Sequence, residues 1–127
     1  MSLEKIRVSQ QARDQLLTLK RRTKIEHWNV LCRWALCVSL REKTRPRTEG
    51  ITGDSSVEMT WHTFAGDHED VYLALIKQRC HADGLPTDIN TVSTQFRAHL
   101  HRGIAYLVGD RSLKTISNLV SRCLPAP

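Results

Sequence analysis

The run Lys5-Ile6-Arg7-Val8-Ser9 alternates polar and apolar side chains, the period of a strand. Two segments that are apolar at helical spacing follow it, one from Gln10 to about Thr23 and one from Trp28 to Leu40. Alternation puts Lys5, Arg7 and Ser9 on one face of the strand, and Ile6 and Val8 on the other. A lone strand of this length is unstable in water and needs a partner. The partner is either a second copy of the chain or a later strand of the same one. Strand, helix, helix with basic residues on the exposed strand face is a ribbon-helix-helix-like layout. It makes the N-terminal third the expected site of assembly and of anion recognition.

Ser9 is placed to cap the first helix, because a serine oxygen can accept from the free amides of the first turn. The inward face reads Ala12, Leu16, Leu19 and Thr23, with Leu17 beside them. Arg13, Lys20, Arg21, Arg22 and Lys24 cover the other side. Cations in the last turn also suit the helix dipole, which accounts for one or two of them and not for the set. The second helix is apolar over more than a narrow stripe: Val30, Leu31, Cys32, Trp34, Ala35, Leu36, Cys37, Val38 and Leu40. Such a helix is central to a core or packed against another subunit. Residues 24–29 precede it at a helix N-terminus, where backbone amides can bind phosphate.

Arg41 to Ser56 reads as a loop, with Pro46, Gly50 and Gly53 among Arg41, Lys43, Arg45 and Arg47. Val57 to Phe64 alternates again and is the best partner for the first strand within the chain. A helix is expected from Gly66-Asp67, capped by Asp67, with Glu69 and Asp70 in its first turn. It should bury Val71, Tyr72, Leu75, Ile76 and Cys80 and stop at Gly84. A long helix then runs from Thr87 or Asp88 with Ile89, Val92, Phe96, Leu100, Ile104 and Leu107 inward, and Gly103 marks a close helix crossing. Gly109-Asp110 repeats the stop, and a last helix carries Leu113, Ile116, Leu119 and Val120. The fold class is therefore mainly α, a short strand and two helices followed by a bundle of about three helices.

Charge is unevenly distributed. Residues 1–50 hold twelve Lys or Arg against five Asp or Glu, a net +7, and residues 51–127 hold seven against eight, a net −1. A concentrated basic excess favours a polyanion partner, the plain alternative being a solvated basic face. The start of the chain has no apolar h-region, and no apolar run approaches ~20 residues, so a soluble, cytoplasmic protein is expected.

Chemistry of other kinds finds little support. Asp67, Glu69 and Asp70 suggest a metal site, but helix capping explains them more simply. The six histidines and Cys80 invite a zinc reading. Yet His99 and His101 lie on different sides of a helix, Cys80 and His81 are adjacent, and no ligand spacing fits. Cys32, Cys37, Cys80 and Cys123 form no C-x-x-C pair and read as reduced, structural thiols. No phosphate-binding glycine loop or nucleophile elbow is present, so neither cofactor, metal nor enzymatic activity is expected.

Several longer motifs carry a resemblance. They are Lys20-Arg21-Arg22-Thr23, Asn29-Val30-Leu31-Cys32-Arg33 with Ala35-Leu36, and Thr63-Phe64-Ala65-Gly66-Asp67. Tyr72-Leu73-Ala74-Leu75-Ile76-Lys77-Gln78-Arg79 and Asp83-Gly84-Leu85-Pro86 extend it. Gln95-Phe96-Arg97-Ala98-His99-Leu100-His101-Arg102-Gly103-Ile104 completes it. From about Ile6 to Ile116 the chain resembles the DNA sulfur modification protein DndE family, while the Arg45–Ser56 loop and the Pro125–Pro127 tail do not match. The family belongs to the bacterial machinery that replaces a non-bridging phosphate oxygen of DNA with sulfur. The resemblance implies one domain over residues 1–127, with a ribbon-helix-helix-like part at 1–44, a basic loop at 45–56 and a strand with helical scaffold at 57–127.

It also implies a non-catalytic accessory subunit that binds double-stranded DNA, prefers nicked duplex, and works beside the other sulfur modification proteins. A homo-oligomer, a tetramer, is implied as well. The family supplies no catalytic residue to carry over. The expected phosphate contacts are Lys5, Arg7, Lys20, Arg21, Arg22 and Lys24, with Lys43, Arg45 and Arg47 from the loop. Two other readings stand beside this one. A ribbon-helix-helix repressor would read base edges with Lys5, Arg7 and Ser9 exposed on a two-chain ribbon. A protein-interaction scaffold would carry its charge incidentally.

Overall fold

The computed structural model describes residues 5–110. The elements in order are β1 (Lys5–Arg7), α1 (Gln10–Thr23), α2 (Trp28–Arg41), β2 (Glu58–Thr60), α3 (Trp61–Ala65), α4 (Glu69–Ala82) and α5 (Ile89–Gly109), with a single 3-10 turn at Gly66–His68. The described fold is mainly helical with one small sheet, as the periodicities predict.

The partner of the first strand lies in the same chain. β1 and β2 run antiparallel, with Lys5 opposite Thr60, Ile6 opposite Met59 and Arg7 opposite Glu58. Ile6, Val8, Val57 and Met59 turn into the core, and Lys5, Arg7 and Glu58 stay outside. The ribbon continues past the ladder, because the Ser55 hydroxyl and amide both donate to the Val8 carbonyl, at 2.7 and 3.3 Å.

Ser9 caps α1 as expected, its oxygen accepting from the Ala12 amide at 3.1 Å, and Ala12, Leu16, Leu19 and Thr23 are the buried residues of that helix. The breadth of apolar surface on α2 is explained by its place at the centre. Leu31, Cys32, Ala35, Leu36 and Ser39 are buried, chiefly against α5, which buries Val92, Phe96, Leu100, Ile104 and Leu107. Gly103 is where the two helices meet, since a Cβ on it would run into the backbone of Ala35. Cys37 departs from the expected burial. It projects beyond the buried face of α2 and is exposed, whereas Cys32 and Cys80 are enclosed. Burial pushes the Cys32 thiol up to about 12 and raises that of Cys80.

Three expectations need correction. The second strand ends at Thr60 and does not reach Phe64, because the Thr60 hydroxyl accepts from the Thr63 amide at 3.0 Å and starts a helix there. Helical spacing then buries Trp61, Phe64 and Ala65 together, and Trp61 and Phe64 pack on Phe96 with ring centroids 5.4 and 5.0 Å away. Asp67 does not cap α4; it lies in the 3-10 turn before it, and no side chain caps that helix. Finally, α4 buries only Ile76 and Cys80 fully, with Tyr72 and Leu73 partly covered, and leaves Val71 and Leu75 56% and 44% exposed. A helix at the margin of a bundle buries a narrower stripe than the sequence spacing allows for.

The stop at Gly84 is a Schellman motif. Gly84 at φ +76° lets its amide reach the His81 carbonyl and the Leu85 amide reach the Cys80 carbonyl. Asp88 caps α5 through the Thr91 amide. No helix among the described residues is long and apolar enough to cross a membrane. The expected last helix, with Leu113, Ile116, Leu119 and Val120, and Cys123 lie outside the described residues.

Candidate nucleic-acid interface

Basic side chains collect first where α1 turns into α2. Lys24 ends α1 in the left-handed region (φ 63°), its amide bonding back to the Lys20 carbonyl at 3.0 Å. The reversal brings Lys20, Arg21 and Lys24 around an open hollow of about 450 Å³ floored by Leu17 and Ile25, with Glu26 on its edge. The Lys20 ammonium stands 4.5 Å from the centre of the Trp28 ring, a cation–π contact that steadies a flexible side chain without neutralising it. Arg21 reaches the Thr18 hydroxyl at 3.4 Å. Arg22 turns the other way and donates to the Val108 carbonyl at 2.8 Å, joining α1 to the end of α5. Three of the four cations in this cluster therefore face one hollow, and the fourth ties the fold.

The ribbon presents Lys5 and Arg7 to solvent, but Glu58 sits between them, 3.9 Å from Lys5 and 2.9 Å from Arg7. Two charges out of three are matched locally. Lys20, Arg21, Lys24, Lys43, Arg45 and Arg47 differ from them in having no carboxylate within ion-pair distance among the described residues.

The loop cations occupy the far end of α2. That helix has fourteen residues, so its two ends stand roughly 20 Å apart. Lys43, Arg45 and Arg47 are exposed, while Pro46 among them is buried. Thr44 is held in place by two guanidinium groups. Arg79, from α4, donates to the Thr44 carbonyl at 2.7 Å and to the Leu40 carbonyl at 2.9 Å, and its Nε bonds both oxygens of Asp83. Arg102, from α5, donates to the Thr44 carbonyl at 2.8 Å, to its hydroxyl at 3.2 Å, and to the Ser39 carbonyl and hydroxyl at 2.8 Å each. The carbonyls at the C-terminus of α2 carry the negative end of its dipole, which suits two cations there.

Two histidines are locked neutral beside this scaffold. The Ser39 hydroxyl, which accepts from Arg102, also shares a hydrogen bond with His99 Nδ1 at 2.8 Å. Burial, reinforced by Arg79 and Arg102, lowers His99 from 6.5 to about 4. His101 donates from Nδ1 to the Arg97 carbonyl and accepts the Ser9 amide at Nε2, 3.1 Å away, and burial lowers it too. Spacing in the sequence does not group these residues. The available signal was a polar residue standing in an apolar stripe, as Ser39 does in α2 and His99 does between Phe96 and Leu100 in α5.

A different surface lies between α2 and α4. Val30, Arg33, Trp34, Cys37 and Tyr72 line a hollow of about 330 Å³, and exposed Val71 and Leu75 belong to the same helix as Tyr72. Among the described residues no three His, Cys, Asp or Glu side chains come together to hold a metal ion.

The chain matches the family model of the DNA sulphur modification protein DndE over residues 5–115. Its structure is similar to the crystal structure of DndE from Escherichia coli B7A, involved in DNA phosphorothioation modification. The identity is 25%, the TM-score 0.66, and the match covers 84% of this chain and 99% of that one. A glycine-to-lysine mutant of DndE involved in DNA phosphorothioation is similar in fold, at 21% identity and a TM-score of 0.63, covering 84% of this chain and 100% of the other. No curated protein matches the chain.

Proposed function

The chain belongs to the DndE family of DNA sulphur modification proteins, whose model covers most of its length, and from that premise we propose that it is a non-catalytic DNA-binding subunit of the phosphorothioation machinery. It contacts backbone phosphates of duplex DNA, prefers a nicked duplex, and works beside the other modification proteins in the cytoplasm. The observation that carries this reading is two groups of cations, Lys20, Arg21 and Lys24 at the hollow and Lys43, Arg45 and Arg47 in the loop, which have no carboxylate within ion-pair distance among the described residues. Their separation of roughly 20 Å along α2 equals about six phosphate steps of one strand at 3.4 Å each. Lys5 and Arg7 contribute less, because Glu58 lies between them and offsets one of their two charges.

A homo-oligomer of four copies is part of the same proposal. The exposed Val71 and Leu75 and the neighbouring Tyr72 hollow support it, since apolar side chains left in water favour association. The repressor reading loses its main support. Its ribbon needed two chains, whereas β1 pairs with β2 of its own chain and Ser9 is occupied as a helix cap.

Fluorescence anisotropy across a salt series, with intact, nicked and unrelated duplexes, tests the proposal. Each phosphate neutralised should add about −0.9 to the log–log slope. A steep slope indifferent to sequence, with tighter binding to the nicked duplex, is the expected result. One tight sequence among weak ones would restore the repressor, and no binding at low salt would leave a protein scaffold.

A further inference from the structure

We propose that Arg79 and Arg102 are positioning residues that present the basic loop to DNA in one fixed conformation. The inference rests on the DNA-binding reading and adds to it a part of the molecule that touches no nucleic acid. Residues 42–57 connect α2 to β2 with no helix or strand of their own, and a surface connector of that length is ordinarily mobile. Its basic stretch is held at two inward points. The Thr44 carbonyl takes three features of the bundle at once, namely the Arg79 fork, the Arg102 fork and, through Arg102, the end of α2. Pro46 is buried one residue beyond Arg45. The three exposed cations, Lys43, Arg45 and Arg47, alternate with these anchors.

The choice of residue type fits the task. Arg102 uses Nε, Nη1 and Nη2 on four different oxygen atoms, a planar fork that a lysine ammonium cannot reproduce. Asp83 fixes the Arg79 guanidinium through Nε and leaves both terminal nitrogens for Leu40 and Thr44. Two consecutive helices, α4 and α5, thus converge on one backbone carbonyl in a loop 35 and 58 residues before their arginines. A loop ordered before binding keeps its contacts without the entropy loss of ordering it on the DNA.

The test uses R102K in the full chain, which keeps the charge and removes the fork, with K43A/R45A/R47A as the second arm of a double-mutant cycle. Binding to nicked duplex is read by anisotropy over a salt series, and loop presentation by limited trypsin cleavage after Lys43 and Arg47. R102K should speed loop cleavage and weaken DNA binding roughly tenfold in the parent, the scale of losing about one charge-assisted contact. It should have almost no further effect once the three loop cations are gone. R79K, which leaves the Arg102 grip intact, takes its place if thermal melting shows R102K unfolded. Equal weakening in both backgrounds, or faster cleavage with unchanged binding, would overturn the positioning role. Absence of DNA binding by the parent would instead overturn the DNA reading on which it rests.

Discussion

Gly103 of α5 lies directly against the carbonyl of Ala35 in α2, with no room for a methyl group between the two helices. The clash that a side chain would cause is with backbone, so it cannot be relieved by trimming the neighbour. Gly103→Ala should therefore destabilise the fold by roughly 3 kcal/mol or more, although alanine is the better helix former by about 1 kcal/mol. Gly109→Ala, in the same helix with none of the described residues within 4 Å of an added Cβ, is the control and should be neutral within about 1 kcal/mol. Denaturant unfolding of both variants checks the contrast, and equal effects would mean that the helices do not cross at Gly103.

His99 makes stability depend on pH in a known direction. Its folded value, about 4, lies below the ordinary 6.5, so the unfolded chain takes up the proton first as pH falls. The stabilisation is complete above about 6.5, declines between about 6.5 and 4, and is constant below that as far as this group is concerned. His101, lowered in the same direction, acts with it, because its neutral Nε2 accepts the Ser9 amide. The melting temperature should begin to fall below pH 6.5. In His99→Asn, whose side-chain amide can still hydrogen-bond Ser39, the fall should be shallower. Parallel pH profiles for parent and variant would contradict the assignment.

The hollow at the end of α1 should supply about half of the DNA affinity term. Replacing Lys20, Arg21 and Lys24 together by alanine removes up to three phosphate contacts and should flatten the salt slope by roughly 2.5 to 3 units. The same change at Arg22 should do something different. Its guanidinium holds the Val108 carbonyl, so Arg22→Ala should lower the melting temperature and leave the slope nearly unchanged. A slope unaffected by the triple substitution would place the DNA surface elsewhere.

Much of this was legible in the chain, and the reasons differ by element. Caps at Ser9 and Asp88, the stop at Gly84 and the inward faces of α1 and α5 follow from local chemistry, since they depend on residues three or four positions apart. Gly103 could be read as a crossing because glycine inside a long helix has few other uses. What could not be read depends on tertiary choices. Whether β1 finds β2 or another copy turns on a connection through residues 42–57, and how much of α4 is buried depends on what packs beside it. The Arg79–Thr44–Arg102 junction joins three segments, and nothing in any one of them announces the other two. Arg22 shows the same limit within a motif: four cations in five positions look alike in sequence, and only the place of Val108 separates one from the rest.

Surface association gives a further check. Val71→Glu with Leu75→Glu puts charge on two positions that are exposed in the single chain, so the fold should tolerate them with less than about 1 kcal/mol lost. If this face joins copies, sedimentation should show the variant as smaller species than the parent at equal concentration. An unchanged assembly would move the contact to another surface.

Glu58 limits what the ribbon can offer to a phosphate. It faces Arg7 across the strand pair and lies within ion-pair distance of Lys5 as well, and its own charge repels a polyanion. The pair is solvent-exposed, so removing it should change stability by no more than about 1 kcal/mol. Glu58→Gln keeps the shape of the side chain and releases two cations on the face that Ile6 and Val8 leave outward. If the ribbon borders the DNA, the variant should bind more tightly than the parent and its salt slope should steepen by roughly 1 to 2 units. Tighter binding with an unchanged slope would show only a weaker local repulsion. No change in either would separate Lys5 and Arg7 from the interface and leave the work to the two arrays at the ends of α2.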